Sequence, residues 1–176
     1  MKIAILGSHP ATKALAPYRD PSWQIWQCSP DNKDALPRWD RLFELHVPIE
    51  HKSRSPDYIK WVTAQRGVVM RDYQAMARMD GAVAYPENKA RTLFGPFFFT
   101  SSIAYMMAMA LMELAAAAQR GEEMKMGLWG IMQASETEFS YQRPGIQYLI
   151  QCANNMGVEV VAPRESRLFE AVEREW

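Results

Sequence analysis

The sequence predicts an α/β protein with an open, mainly parallel sheet and helices on both faces. Short apolar runs of strand length alternate with helical segments along the chain, and that alternation is typical of parallel α/β sheets. The chain also begins with a strand, a glycine-containing loop and a helical segment, the usual start of a doubly wound sheet. Its 176 residues, 48% apolar and 23% charged, suit one compact core. We therefore expect a single Rossmann-like domain over residues 1–176.

The N-terminal elements alternate between strand and helix. Residues 2–6 are an apolar run that stops at Gly7-Ser8-His9-Pro10, and residues 11–16 then favour a helix or turn. Residues 23–28 alternate apolar and polar side chains before a polar turn, which predicts a second strand. Residues 42–45 are the third apolar run and predict a third strand.

The middle of the chain contains shorter elements. Ser55-Pro56 supplies a cap and a first-turn proline for a helix over residues 57–65. Residues 67–70 and 82–84 predict short strands, and residues 72–79 between them predict a helix.

The C-terminal half contains the longest apolar run. Residues 97–99 are three phenylalanines that predict a buried strand, and a core helix is predicted over residues 103–118. Residues 125–131 predict the next strand. Residues 144–155 predict a helix that begins at a proline, and residues 158–161 predict the last strand.

Charge and cysteine content limit the partners. Twenty basic and twenty acidic residues cancel, so we expect a small ligand and neither nucleic acid nor an anionic membrane as partner. Residues 97–118 carry one charge, but a Thr-Ser-Ser sequence interrupts them, so no membrane span is predicted. Cys28 and Cys152 stand far apart, which predicts reduced thiols and no structural zinc. The N-terminal apolar stretch is too short for a signal peptide, which predicts a cytoplasmic protein.

Polar side chains follow several of the predicted strands. Open α/β sheets bind ligands outside the carboxyl ends of their strands, so these side chains are expected to meet in one crevice. The residues expected to bind a nucleotide there are Gly7, Ser8, His9, Pro10, Ser29, Thr100, Ser101, Ser102 and Gly130.

Thr100, Ser101 and Ser102 are the strongest of these signals. They precede an apolar helix whose first amides have no intrahelical acceptor, so this helix end is positive and suits a phosphate or carboxylate. The alternative is that one hydroxyl simply caps a structural helix, worth about 1 kcal/mol.

The loop over residues 7–10 offers a glycine, a hydroxyl and an imidazole to a ligand. It lacks both G-x-G-x-x-G and G-K-[ST], so neither a standard dinucleotide site nor a P-loop is predicted. An ordinary strand-to-helix turn is the alternative.

The expected catalytic residues are Glu138, Tyr141 and His46. Glu136 and Glu138 lie in a polar cluster and can act as acid or base, or hold a magnesium ion with the nucleotide, while Tyr141 can donate to a phosphate oxygen. A solvated loop is the alternative for this cluster. His46 and His9 end predicted strands and can act as base, acid or donor, although a lone histidine is more often structural. No metal ligand set and no other cofactor is predicted.

Several segments carry a family resemblance. Ala4-Ile5-Leu6-Gly7-Ser8-His9-Pro10 and Phe99-Thr100-Ser101-Ser102-Ile103-Ala104-Tyr105-Met106 resemble the first strand and loop, and the Thr-Ser-Gly helix opening that holds cytidine nucleotide, of the small bacterial sialyltransferases. More distantly, the chain resembles the MptE-like pterin diphosphokinases and the DUF115 group. All have Rossmann-like nucleotide-binding folds.

The resemblance also assigns roles and shows departures. Ser29 and His46 stand where the sialyltransferases have asparagines, and Tyr141 could fill the role of their phosphate-assisting tyrosines. No histidine follows His51, so the family's late catalytic histidine has no counterpart. Small phage-type proteins with Phe-Glu-x-His and Glu-[Tyr/Phe]-x-x-Gln-Arg-Pro elements are similar as well, and they imply no activity.

Three functions follow from these observations. The first is a nucleotide-dependent transferase, of the glycosyl or phosphoryl type, that uses a cytidine or related nucleotide. The second is a nucleotide hydrolase or N-glycosidase in which Glu136 or Glu138 activates water. The third is a non-catalytic protein that sequesters a nucleotide. A homo-oligomer is expected in each case, because small α/β sheets often cover an edge by self-association.

Overall fold

The structure is a computed structural model that describes residues 1–29, 37–49, 55–132, 141–166 and 168–169. Its strands are β1 (Lys2–Leu6), β2 (Trp23–Cys28), β3 (Arg41–Glu44), β4 (Val69–Met70), β5 (Val83–Ala84), β6 (Lys125–Trp129) and β7 (Glu159–Val161). Its α-helices are α1 (Pro10–Lys13), α2 (Pro56–Thr63), α3 (Tyr73–Met76), α4 (Glu87–Phe94), α5 (Ser102–Ala118) and α6 (Arg143–Asn155). A short 3₁₀ turn, Arg164–Ser166, follows β7.

The described strands form one open sheet with the order β5-β4-β3-β2-β1-β6-β7. All neighbouring strands in it are parallel. The chain builds the sheet outward from β1 to β5 and then crosses back to place β6 on the other side of β1. The predicted α/β, Rossmann-like fold is confirmed. The order of the strands reverses between β1 and β6, and this is where open α/β sheets bind their ligands.

Helices cover both faces of the sheet. Ile3 and Ile5 of β1 belong to a core that includes α4, α5 and α6. Ala4 and Leu6 point to the opposite face, where α2 and α3 pack against Leu42 and neighbouring strand residues. Strands buried on both faces need apolar side chains at nearly every position. This explains why the central strand β1 is a continuous apolar run in the sequence.

Helix α5 lies against β1 and β2 and between α4 and α6. Neighbours on several sides explain why its sequence is apolar around most of its circumference. Within the described part of the chain, no helix is both long enough and apolar enough to cross a membrane.

The predicted strand over residues 97–99 is wrong. This segment is a loop between α4 and α5, and Phe97 is 83% exposed. Phe98 instead stacks on Tyr148 of α6 at 3.9 Å between ring centroids, and Phe99 packs on Tyr105 of α5 at 4.8 Å. The aromatic side chains therefore pack against helices, and their backbone does not join the sheet.

Two further differences concern helices. Helix α4 was not expected, because only Ala90 and Phe94 of its eight residues are buried and no apolar stripe marks it. The helix expected over residues 72–79 is limited to α3, which Asp72 caps by accepting hydrogen bonds from the amides of Gln74 and Ala75.

Candidate functional site

An open cleft of about 410 Å³ lies at the carboxyl ends of β1, β2, β3 and β6. Loop residues after these strands and the N-terminus of α5 form its walls. The lining residues are Gly7, Ser8, His9, Pro10, Cys28, Ser29, His46, Ser101, Ser102, Ile103, Gly130, Ile131, Met132 and Gln142. The structure thus brings together most of the residues that the sequence suggested.

The loops after β1 and β6 meet backbone to backbone. The amide of Gly7 donates to the carbonyl of Trp129 at 2.8 Å, and the amide of His9 donates to that of Gly130 at 2.8 Å. A Cβ atom on Gly7 would lie 2.3 Å from the Gly130 carbonyl oxygen, and Gly130 has a φ of +66°. Both positions therefore require glycine. The hydroxyl of Thr12 accepts from the Gly130 amide at 3.0 Å and closes the junction.

The N-terminus of α5 opens onto the cleft. Ser101 is its N-cap, and the Ser101 hydroxyl accepts from the Ala104 amide at 3.2 Å. The first backbone bond of the helix runs from the Tyr105 amide to the Ser101 carbonyl. The amides of Ser102 and Ile103 come before both bonds and have no intrahelical acceptor. Ser101 thus caps the helix, as the structural alternative expected, and the helix end still presents donors beside Ser102.

Thr100 does not line the cleft with its two neighbours. Its hydroxyl oxygen lies 3.0 Å from the place where a Cβ on Gly145 would stand, so it faces the start of α6. The Phe98 carbonyl would be 2.4 Å from that same Cβ. The segment before α5 is therefore fixed by close packing against α6.

Ser29 lies at the end of β2 and is buried. Its amide donates to the Phe43 carbonyl at 2.9 Å, and its hydroxyl donates to the same oxygen at 3.3 Å. The hydroxyl therefore ties β2 to β3 on the wall of the cleft.

His46 lies two residues beyond β3 and is about one-third exposed where it lines the cleft. Its Nδ1 atom is 2.5 Å from Oε1 of Glu44, and its backbone amide donates to the same oxygen at 3.2 Å. The phenol of Tyr58 donates to the other carboxylate oxygen at 2.5 Å. Glu44 itself is fully buried. Sequence reasoning missed Glu44, although a charged residue between Phe43 and Leu45 in a buried strand was a signal.

The other expected site residues have different positions. Tyr141 is 63% exposed just before α6, and its phenol oxygen accepts from the Gln142 side chain at 3.1 Å. Glu138, with Glu136, lies outside the described residues. The Nδ1 atom of His9 is buried and has no hydrogen-bond partner among the described residues.

A second charged cluster supports the segment that leads into α5. Glu87 accepts two hydrogen bonds from Arg71, at 2.9 and 3.1 Å, and one from Arg91 at 2.9 Å. Arg91 also donates to the Pro96 carbonyl and to the phenol of Tyr105, each at 2.8 Å. The bonds from Arg71 hold the pKa of Glu87 below its usual value, and those from Arg91 add to this against the effect of burial.

The described residues contain no group of three or more His, Cys, Asp or Glu side chains able to hold a metal ion. The carboxylates suggested for magnesium, Glu136 and Glu138, lie outside those residues. A role for magnesium stays a prediction.

Comparison with solved structures gives a fold relative. The chain is similar to the X-ray structure of a mutant of the α-2,3/8-sialyltransferase CstII, with a TM-score of 0.52 and 12% identity over 92% of this chain and 81% of that chain. At this identity the likeness shows the fold. No protein-family model matches the sequence. No curated protein matches it significantly. The resemblances to the MptE-like and phage-type proteins therefore stay predictions, as do a homo-oligomer and a cytoplasmic location.

Proposed function

We propose that this protein is a nucleotide-dependent transferase that holds a nucleotide-activated donor, such as a nucleotide sugar, in the cleft at the carboxyl edge of the sheet. The observation that carries the proposal is that the N-terminus of α5 and the Gly7–Gly130 junction line one cleft at the switch point of the sheet. Cytidine nucleotides are tested first, because the opening of α5 resembles a segment that holds cytidine nucleotide.

The phosphate of the donor would lie at the N-terminus of α5. Ser102 and Ile103 line the cleft, so their amides and the Ser102 hydroxyl would supply the donors. The helix continues for 17 residues and most of its body is buried, so its dipole adds a positive potential with little solvent screening. Free amides at a helix N-terminus suit a phosphate group, and a nucleotide carries such a group.

The rest of the donor would lie along the glycine junction. Gly7 and Gly130 have no side chains, so a ligand can approach the backbone there. A volume of about 410 Å³ is within the ordinary range for small-molecule sites. Ser8 and Ser29 border this part of the cleft and would lie beside the ribose and the base.

His46 would act as the base, and Tyr141 with Gln142 would assist the departing phosphate. His46 and Gln142 both line the cleft, and the side chain of Gln142 donates a hydrogen bond to the Tyr141 phenol oxygen. Positioning and stabilisation of the leaving group supply most of the catalysis in such transfers. The likeness to a sialyltransferase supports a sugar as the transferred group.

A thermal-shift screen tests the site. Purified protein is mixed with cytidine, uridine, adenine and guanine nucleotides and their sugar conjugates, with and without magnesium. We expect one nucleotide class to raise the melting temperature by several degrees, and we expect the Ser101→Ala/Ser102→Ala variant to lose that shift. The matched control is Thr63→Ala/Thr92→Ala, whose hydroxyls bond only helix carbonyls among the described residues and do not line the cleft.

Analysis of the products separates the three functions. The protein is incubated with the nucleotide sugar that binds, with and without a methyl glycoside, and ³¹P NMR follows release of the nucleotide. Release that requires the glycoside supports the transferase, and release into water alone supports a hydrolase. A ligand recovered intact would instead support a sequestering protein and contradict the proposal.

A further inference from the structure

Glu44 is a buried carboxylate directly behind the cleft. It is the last residue of β3, its side chain is 0% exposed, and both of its oxygens are occupied. Oε2 accepts from the phenol of Tyr58 at 2.5 Å, while Oε1 lies 2.5 Å from His46 Nδ1 and accepts from the His46 amide at 3.2 Å. A buried carboxylate with such partners costs less to keep charged than an isolated one.

The hydrogen bonds around His46 favour one tautomer of its ring when Glu44 is ionised. The backbone amide of His46 can only donate, so Oε1 of Glu44 is an acceptor, and an ionised carboxylate has no proton to give. With Glu44 ionised, Nδ1 of His46 carries the proton that it shares with Oε1. In the neutral imidazole, a proton on Nδ1 places the lone pair on Nε2.

Tyr58 holds the carboxylate from the other side. It belongs to α2, which Ser55 caps by accepting a hydrogen bond from the Tyr58 amide at 3.1 Å. The Tyr58 side chain is buried in the same apolar cluster as Leu42, so its phenol has little freedom. Glu44 is thus fixed by a strand and by a capped helix, and it can hold the imidazole in one orientation.

We propose that Glu44 is a positioning residue that keeps His46 in its Nδ1–H tautomer, so that Nε2 serves as the general base for an alcohol acceptor. This inference rests on the proposed transferase function. The acceptor O–H bond breaks as its proton passes to Nε2, and the acceptor oxygen bonds the donor carbon that carried the nucleotide. The bond from that carbon to the phosphate oxygen breaks, and both electrons stay with the phosphate.

The mechanism specifies the acceptor class. A hydroxyl is a weak nucleophile at neutral pH, and it gains most from a base that removes its proton as the new bond forms. A sugar hydroxyl is the acceptor that fits both this base and a donor with an activated sugar. His46 is the catalytic residue in this account, and Glu44 acts through it.

Nitrogen NMR tests the tautomer without any reaction. The chain has three histidines, and a His46→Asn variant assigns the signals of His46. In the neutral form of the His46 ring, we expect the proton on Nδ1 in the wild type. We expect Glu44→Gln, whose amide can donate to Nδ1, to shift the ring toward the Nε2–H form. Glu87→Gln is the matched control, and it should leave the tautomer unchanged.

Kinetics tests the role of the tautomer. With a cytidine-nucleotide sugar as donor and a methyl glycoside as acceptor, Glu44→Gln should lower kcat by on the order of 10²- to 10⁴-fold, as wrong-tautomer variants do in other enzymes. The Kd for cytidine monophosphate should stay within about threefold, because Glu44 does not line the cleft. Glu44→Asp keeps the carboxylate but moves it away from His46 by one methylene group, so it should lower kcat less than Glu44→Gln does. It is the variant to measure if Glu44→Gln does not fold.

Three results would overturn the inference. They are an Nε2–H tautomer in the wild type, an unchanged kcat in Glu44→Gln, and a loss of kcat matched by an equal loss of nucleotide affinity. The proposed function fails separately, since absence of nucleotide binding contradicts it whatever the tautomer of His46.

Discussion

Glu44 and Glu87 are two carboxylates near the carboxyl edge of the same sheet, and their surroundings are opposite. Glu44 is fully buried and bonded to an imidazole and a phenol, both of which can exchange protons. Glu87 is about one-quarter exposed and bonded to Arg71 and Arg91, whose guanidinium groups keep their charge at any working pH. The first environment is suited to moving a proton, and the second to holding structure.

The two carboxylates differ in burial and in partner chemistry, and our proposal gives Glu44 its role on the basis of its partners. Glu87 joins α4 to β4 and, through Arg91, fixes the Pro96 carbonyl in the segment that leads to α5. Its contribution is therefore to the shape of the cleft wall. Glu44 lies behind His46, a residue of the cleft itself, so its proposed influence on the chemistry passes through His46.

The largest expected effect is on catalysis through His46. His46→Asn should lower nucleotide release from the donor by on the order of 10²- to 10⁴-fold, because asparagine cannot act as a base. The double variant Glu44→Gln/His46→Asn should release nucleotide at a rate within about twofold of that of His46→Asn, since Glu44 acts only through His46. Initial rates of nucleotide release are measured for the wild type, the two single variants and the double variant. Losses that multiply in the double variant would show that Glu44 has an independent role.

The next effect is on stability through Glu87. Glu87→Ala should lower the free energy of unfolding by roughly 1–2 kcal/mol, a modest value because all three partners are partly exposed. Calorimetry should show a fall in melting temperature of roughly 2–8 °C for a chain of this size. Asp80→Ala is the control, since the pair of Asp80 with Arg66 is more than 80% exposed on both sides and should contribute nothing measurable. Equal losses in both variants would refute the structural role of Glu87.

A smaller effect is expected at the phenol that supports Glu44. Tyr58→Phe removes the hydrogen bond to Glu44 and should cost about 1 kcal/mol of stability. His46 should keep its Nδ1–H tautomer, because Oε1 of Glu44 is still in place. Urea unfolding gives the change in the free energy of unfolding, and nitrogen NMR gives the tautomer of His46. A complete switch of the tautomer in this variant would mean that Tyr58, and not Glu44, determines the proton position.

The smallest effect is the contribution of Glu87 to acid stability. Hydrogen bonds from Arg71, then those from Arg91, lower the pKa of Glu87 in the folded state against the effect of burial. A lowered folded pKa gives stability that is complete above the unfolded value of about 4.3 and is lost as the pH falls through the folded value. Urea unfolding between about pH 6 and pH 3 should therefore show a smaller acid loss in Glu87→Gln than in the wild type. Identical pH profiles would contradict the assignment.

The fold could be predicted because each buried strand is a local signal. Strand β1, for example, is a run of apolar residues that stops at a glycine. The three phenylalanines at residues 97–99 misled the same reasoning, because their partners Tyr148 and Tyr105 are distant in the sequence. A run of apolar residues does not show whether a segment joins the sheet, packs on helices as Phe98 and Phe99 do, or is exposed as Phe97 is.

The candidate site was partly predictable for a related reason. The carboxyl ends of parallel strands gather at one edge, so Gly7, Ser29, His46 and Gly130 could be placed together from their strands alone. Glu44 could not be placed, because its partner Tyr58 is 14 residues away on another element. The sequence shows the unusual charge, whereas the hydrogen bonds that give it a role appear only in the folded chain.

The most direct test of the account is a calorimetric titration of cytidine monophosphate and its sugar conjugate into the wild type, the Ser101→Ala/Ser102→Ala variant and the Thr63→Ala/Thr92→Ala control. We expect stoichiometric binding by the wild type and the control. We expect affinity at least about tenfold weaker in the serine variant, the size of one lost bond to a charged phosphate. If no nucleotide or nucleotide sugar binds at millimolar concentration, the cleft is not a nucleotide site and the account is contradicted.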